Sequence, residues 1–225
     1  MDSMYEIIMA LPLFQGTSHE KISELIEKTK FHFIKFNANE TIVEANDNCE
    51  FVRLLISGSI KITYKIRNAN ITVSSLVSAP NVIGIEYLFG KERNYPFGVV
   101  ANSDCAVLQL TKSDYMKILH SDDNVFLFNL LNILSHSSQK SVISQMSVNG
   151  SVASRLAIDI MMMTQAKSKH VRFDYKQKDL CSRYGVQRPM LIKSLDNLKN
   201  AGMITYDANS IEIADRDNFM SYFLK

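Results

Sequence analysis

Residues 179–204, DLCSRYGVQRPMLIKSLDNLKNAGMI, constrain the fold of this chain more than any other stretch. They spell a short helix, a glycine turn, a second helix and a stop. Leu180 and Val186 are spaced to pack the first helix and the turn, Gly185 admits a left-handed backbone, and Leu191, Leu195 and Leu198 recur on one helical face. Pro189 falls in the first turn of the second helix, where a missing N–H costs nothing, and Gly202 ends that helix. Arg188, Lys193 and Lys199 are carried outward between the leucines. The pattern predicts a helix-turn-helix with its recognition helix over about residues 187–201.

A chain of 225 residues suits two domains rather than one. Its net charge of +2 is uninformative until it is divided. Residues 1–150 hold 13 Lys+Arg against 15 Asp+Glu, whereas 151–225 hold 12 against 8. Over 167–199 the count is nine basic to three acidic, so the positive field gathers on the helix-turn-helix, where a polyanion would dock. The opening MDSMYEIIMALPLF has no basic n-region, carries Asp2 and Glu6, and is too short an apolar run for an export signal or a membrane span. A cytoplasmic protein without a membrane partner is expected. Cys49, Cys105 and Cys181 are odd in number and scattered, which argues for packing roles rather than a disulfide framework or a CxxC metal site.

Ser18 is placed to cap a helix in HEKISELIEKTK, where Ile22, Leu25 and Ile26 share a face. From Phe31 to Thr111 the apolar period changes to two, in short runs punctuated by Asn, Gly, Pro and Asp, the pattern of an antiparallel sandwich or barrel. Asn37-Ala38-Asn39, Asn46-Asp47-Asn48 and Gly58 supply the turns. Residues 122–148 read as one long helix whose first half, VFLFNLLNIL, is apolar almost all round and therefore needs more than one neighbour. The second half keeps Val142, Ile143 and Met146. A second copy across a two-fold axis satisfies such a helix most simply. Asn149-Gly150 breaks it, Ser151 caps the next helix with Leu156, Ile160 and Met163 on one face, and Met161 and Met162 widen that face as core filler. Residues 171–174 fit a short strand, and Asp207-Ala208-Asn209 turns a β-hairpin wing.

This order of parts resembles the Crp/Fnr family of bacterial transcription regulators. Four phrases in the right order carry the resemblance: FVRLLISGSIKI, NVIGIEYLFGKERNYPFGVVANSDCAVLQL, SRLAIDIM and the helix-turn-helix itself. It implies an α+β chain: an N-terminal antiparallel β-barrel of the cyclic-nucleotide-binding jelly-roll type (1–121), a dimerisation helix (122–148) and a winged helix-turn-helix (149–225). By position, Arg188 matches the family's base-reading arginine, whose fork meets guanine O6 and N7. Lys193 falls on a position that is usually basic, and Gln187 on the recognition-helix cap. Pro189 and Met190 stand where the cyclic-AMP receptor protein has an acidic residue and Thr. Lys176, Lys178 and Lys199 complete the expected DNA surface.

The expected effector pocket comprises Gly84, Ile85, Glu86, Arg93, Tyr95, Pro96 and Ser141. Nucleotide-binding members follow the glycine matching Gly84 with a Glu for the ribose and an Arg-Ser or Arg-Thr pair for the phosphate. Here those positions read Ile85, Tyr95 and Pro96. Losing charge-assisted partners of a buried anion costs several kcal/mol, so cyclic AMP is not expected to bind. With no cysteine before Cys49, no iron–sulfur cluster is expected; a haem ligand would have to come from His32, His120 or His136, none of which sits in a motif.

The expected protein is a homodimeric, sequence-specific DNA-binding regulator acting on a pseudo-palindromic operator with RNA polymerase, under an unidentified small-molecule effector. The rival is a ligand-sensing module whose C-terminal domain binds protein. No Ser-His-Asp order, HExxH, Walker loop or GxGxxG appears, so no catalytic role is expected.

Overall fold

The computed structural model describes residues 4–66, 69–146, 150–165 and 167–223. The chain divides into two compact units, one of Met1–Ile60 with Ser78–Ser138 and one of Lys61–Val77 with Gln139–Lys225. Their mixture of antiparallel sheet and helix is the expected α+β class.

The first unit opens with α1 (Met4–Ala10) and α2 (His19–Lys28). Ser18 caps α2 by accepting from the Lys21 amide at 3.3 Å, and Ile22 and Leu25 are buried beneath it. Strands β1 (His32–Phe36), β2 (Thr41–Val43) and β3 (Phe51–Ser57) follow, and β4 (Ser59–Lys65) and β5 (Ile71–Ser78) lead out of this unit and back. The unit then continues through β6 (Asn81–Ile83), β7 (Phe97–Ala101) and β8 (Cys105–Thr111). Antiparallel pairing gives a four-stranded sheet in the order β1-β8-β3-β6, while β2 pairs with β7. The strands thus form two sheets, and among the described residues no single closed ring of pairing is seen.

Period-two patterning sets the register: Leu54 faces Leu108 across β3 and β8, and both are fully buried. Gly58 turns β3 into β4 at φ +78°, and a Cβ there would lie 2.3 Å from the Asp104 carbonyl oxygen. Only glycine fits that approach. The turn asparagines behave as expected, Asn39 and Asn46 both adopting positive φ.

Helix α3 (Lys112–Leu119) is capped by Thr111, and α4 runs Val125–Met146. It starts three residues later than the sequence pattern suggests, because the Asp123 carboxylate accepts from the Val125 amide and Asp122 and Asp123 stay outside the helix. Residues 147–149, where the pattern ends the helix, lie outside the described residues, as do the side chains of Ile143 and Met146. On α4, Phe126 and Leu130 are buried, the former edge-on to Phe14 at 5.8 Å. Leu127, Phe128, Leu131 and Val142 are exposed, Phe128 at 65%.

The second unit holds α5 (Val152–Met163), β9 (Val171–Tyr175), α6 (Gln177–Tyr184) and α7 (Arg188–Asn200), then β10 (Thr205–Tyr206), β11 (Ser210–Ile213) and α8 (Arg216–Phe223). Its sheet has the order β10-β11-β9-β5-β4. The β4–β5 hairpin is therefore part of the C-terminal sheet, with Ile71 opposite Tyr175, Val73 opposite Phe173 and Ser75 opposite Val171. Ile71 and Val73 are buried in the same core as Leu156, Ile160, Phe173, Leu180 and Phe219. Ser75 and Ser168 hydrogen-bond to each other, both buried, at 3.2 Å. At its tip, Asn70 donates from its backbone and side chain to the Asp179 carboxylate at 3.1 and 2.9 Å.

Candidate nucleic-acid interface and sensor cassette

Two helices and one glycine build the C-terminal site. Gly185 takes φ +59°, its amide closing on the Ser182 carbonyl, and the chain leaves α6 for α7 within three residues. Leu191, Leu195 and Leu198 are all buried, so one face of α7 is committed to the core. Each such leucine contributes about 1.5–3 kcal/mol by leaving water. The opposite face is thereby fixed outward. Gln187 is the N-cap, and Gln187, Arg188, Pro189, Met190 and Lys193 are all exposed within the first two turns. No acidic residue stands in the first turn.

The other expected contacts fall into two groups. Lys176 is the N-cap residue of α6, and it and Lys178 are exposed there. Lys199 lies eleven residues beyond Arg188, about 16 Å along the helix axis. Its ammonium sits 5.6 Å from the Tyr206 ring, whose hydroxyl donates to Asp196 at 2.6 Å. Lys199 is thus tied to the wing hairpin, away from the first turn. That hairpin turns as expected, the Asp207 carboxylate accepting from the Asn209 and Ser210 amides at 2.7 Å each.

Part of the basic excess is structural. Arg183 donates from Nε to Asp159 at 2.7 Å and from Nη2 to its other oxygen, while the Tyr184 hydroxyl donates to the same carboxylate at 3.0 Å. Burial and the Asp159 charge hold the Tyr184 phenol well above its ordinary range. Arg172 is likewise paired, with Asp174 and Glu212. Of the exposed cations that remain over residues 167–199, Lys176 and Lys178 stand at the start of α6 and Arg188 and Lys193 in the first two turns of α7, while Lys167 and Lys169 precede β9 and Lys199 lies at the end of α7.

In the first unit the expected effector residues divide by burial. Gly84 takes φ +56°, and a Cβ there would lie 2.7 Å from the Tyr95 ring and 3.0 Å from that of Phe97. Ile85 and Tyr95 are buried, Glu86 is partly buried, and Arg93 and Pro96 are exposed on either side of Tyr95. Ser141 lies on α4 in the second unit, partly buried.

Sequence reasoning missed three neighbours. Tyr87 and Phe97 pack tilted against Tyr95 at centroid distances of 6.2 and 5.5 Å, and the Arg53 guanidinium donates to the Tyr95 hydroxyl at 3.1 Å. Burial pushes the Tyr95 phenol above its ordinary range, the Tyr87 phenol to about 12, and the Cys49 thiol upward. The loop is packed with its own aromatic rings. The alternation of β3 puts Arg53 on the face of Phe51 and was the one available signal for it. His32, His120 and His136 are exposed on β1, at the end of α3 and on α4, respectively.

No curated protein sequence matches this chain significantly. Residues 33–122 match the cyclic nucleotide-binding domain family. Among solved structures, the chain is similar to the catabolite activator protein of Thermus thermophilus, at 17% identity and a TM-score of 0.52 over 95% of this chain and 100% of that one. It is also similar to the c-di-GMP-responsive global regulator CLP of Xanthomonas campestris, at 12% identity and a TM-score of 0.51 over 85% of this chain and 98% of that one. Residues 33–122 thus resemble a cyclic nucleotide-binding domain, and the chain shares the fold of these two solved structures.

Proposed function

We propose that this chain is a homodimeric, sequence-specific DNA-binding transcription regulator, controlled by a small molecule other than cyclic AMP and working with RNA polymerase. The observation that carries the reading is the outward first turn of α7, where Arg188 and Lys193 stand exposed on a helix whose other face is committed to the core. A helix so presented enters the major groove with its N-terminal residues at the base edges. Arg188 reads guanine, Lys193 meets base or phosphate, and Lys176 and Lys178 meet the backbone. The exposed apolar residues of α4 bury against the same helix of a second copy, which sets two recognition helices about 34 Å apart.

The effector acts on the cassette that Tyr95 now fills. No carboxylate or arginine pair stands at the positions a cyclic nucleotide needs, and Arg53 is engaged with Tyr95. In this reading the chain has no catalytic role.

Titration of a duplex by the full-length protein at 50 and 200 mM salt tests the reading. Phosphate neutralisation makes the affinity fall by about 10³- to 10⁵-fold for six to ten contacts. Arg188→Ala costs about 1–3 kcal/mol at the preferred sequence and relaxes specificity at one base. Salt-insensitive binding, or an Arg188→Ala variant that ranks sequences as the wild type does, would favour a protein-binding C-terminal domain instead.

A further inference from the structure

We infer that Met190 reads the C5-methyl group of a thymine beside the guanine read by Arg188. The inference rests on the DNA-binding reading above and deepens it. Met190 is 61% exposed, among the most exposed large apolar side chains described, and it stands at the third position of α7. Its own helix does not need it: the packed face is built by Leu191, Leu195 and Leu198. Lys193, one turn on at i+3, is its neighbour on the helix surface, and Arg188 precedes it by two residues. An apolar spot is therefore bordered by one cation on the helix surface, Lys193, with Arg188 in the same first turn.

That setting chooses the partner. Flanking positive charge draws a polyanion, and an unbranched thioether in the first turn of a groove-entering helix lies where base edges are met. Of the four bases, thymine alone presents a methyl group in the major groove, whereas cytosine presents a donor there. No acidic residue in this turn can accept from that donor, and Pro189 offers no side-chain acceptor either. The apolar pair Pro189-Met190 thus favours thymine and penalises cytosine at the step next to the guanine.

The test begins with duplexes enriched from a random pool by the full-length protein. Each thymine of the enriched site is then replaced by deoxyuridine, which removes only the methyl group. One position per half-site should weaken wild-type binding by about fourfold, the weight of one methyl leaving water. That position should lie next to the guanine whose preference is lost in Arg188→Ala. Met190→Ala should bind thymine and uracil duplexes equally, and Met190→Leu should restore the difference. If wild type binds both duplexes equally at every position, or if Met190→Ala keeps the penalty, Met190 does not read the methyl, although the enriched site leaves DNA recognition standing. If no duplex is enriched, the DNA-binding reading falls and this inference with it.

Discussion

Asp159 shows how single residues hold the second unit together. Its carboxylate is nearly buried and accepts from both Arg183 and Tyr184, so α5 is bound to the end of α6 through one charged group. Removing it would strand a guanidinium and a buried phenol. The Arg183 side chain keeps 31% of its exposure, so water recovers part of the loss. Asp159→Ala should therefore cost about 2–3 kcal/mol, less than a fully buried pair, read as a lowered urea midpoint with unchanged slope. An unchanged midpoint would show that the pair adds nothing.

At the scale of elements, the β4–β5 hairpin is the least expected feature. It contributes a strand to the C-terminal sheet through five residue pairs with β9 and a tie from Asn70 to Asp179. The hairpin is thereby joined both to β9 and to α6, the first helix of the helix-turn-helix. The hydrogen bonds from Asn70 hold the Asp179 carboxyl below the usual carboxylate range. A group whose pKa is depressed by folding stabilises above its unfolded pKa and loses that contribution as pH falls through the folded value. The tie is thus whole at neutral pH and weakens on acidification below the ordinary aspartate range. Asn70→Ala should lower the protection factors of amides in residues 71–75 at pH 7 while leaving β3 and β8 unchanged, and acidifying the wild type should lower the same factors once the pH dependence of intrinsic exchange is divided out. Uniform protection across both would contradict the pairing.

These two features were not legible in the sequence, and the reason is distance along the chain. Gly185, Ser18 and the Asp207 turn act on neighbours within a few residues, so their local chemistry declares them. The Asn70–Asp179 bond closes across 109 residues and the Arg53–Tyr95 bond across 42. No local pattern specifies such partners. The outward residues of α7 were legible, because the three-four spacing of its leucines decides which side chains remain for a ligand.

For the whole molecule, the apolar side chains left uncovered on α4 are the argument for two copies. Phe128, Leu131, Ser135, Ser138 and Val142 recur at intervals of three and four, and all five are exposed. With Phe128 at 65% exposure, this helix offers an apolar face that a second copy would cover. Pairing it would also set the spacing of the two α7 helices, so assembly and sequence recognition stand or fall together. The most direct measurement is sedimentation equilibrium of the full-length protein, alone and with an enriched duplex, beside the variant Phe128→Glu with Leu131→Glu. The account predicts two chains alone, two chains per duplex, and a folded single-chain variant that forms no complex at the same concentration. A wild-type protein that sediments as one chain, or a double variant that binds the duplex as tightly as the wild type, would contradict it.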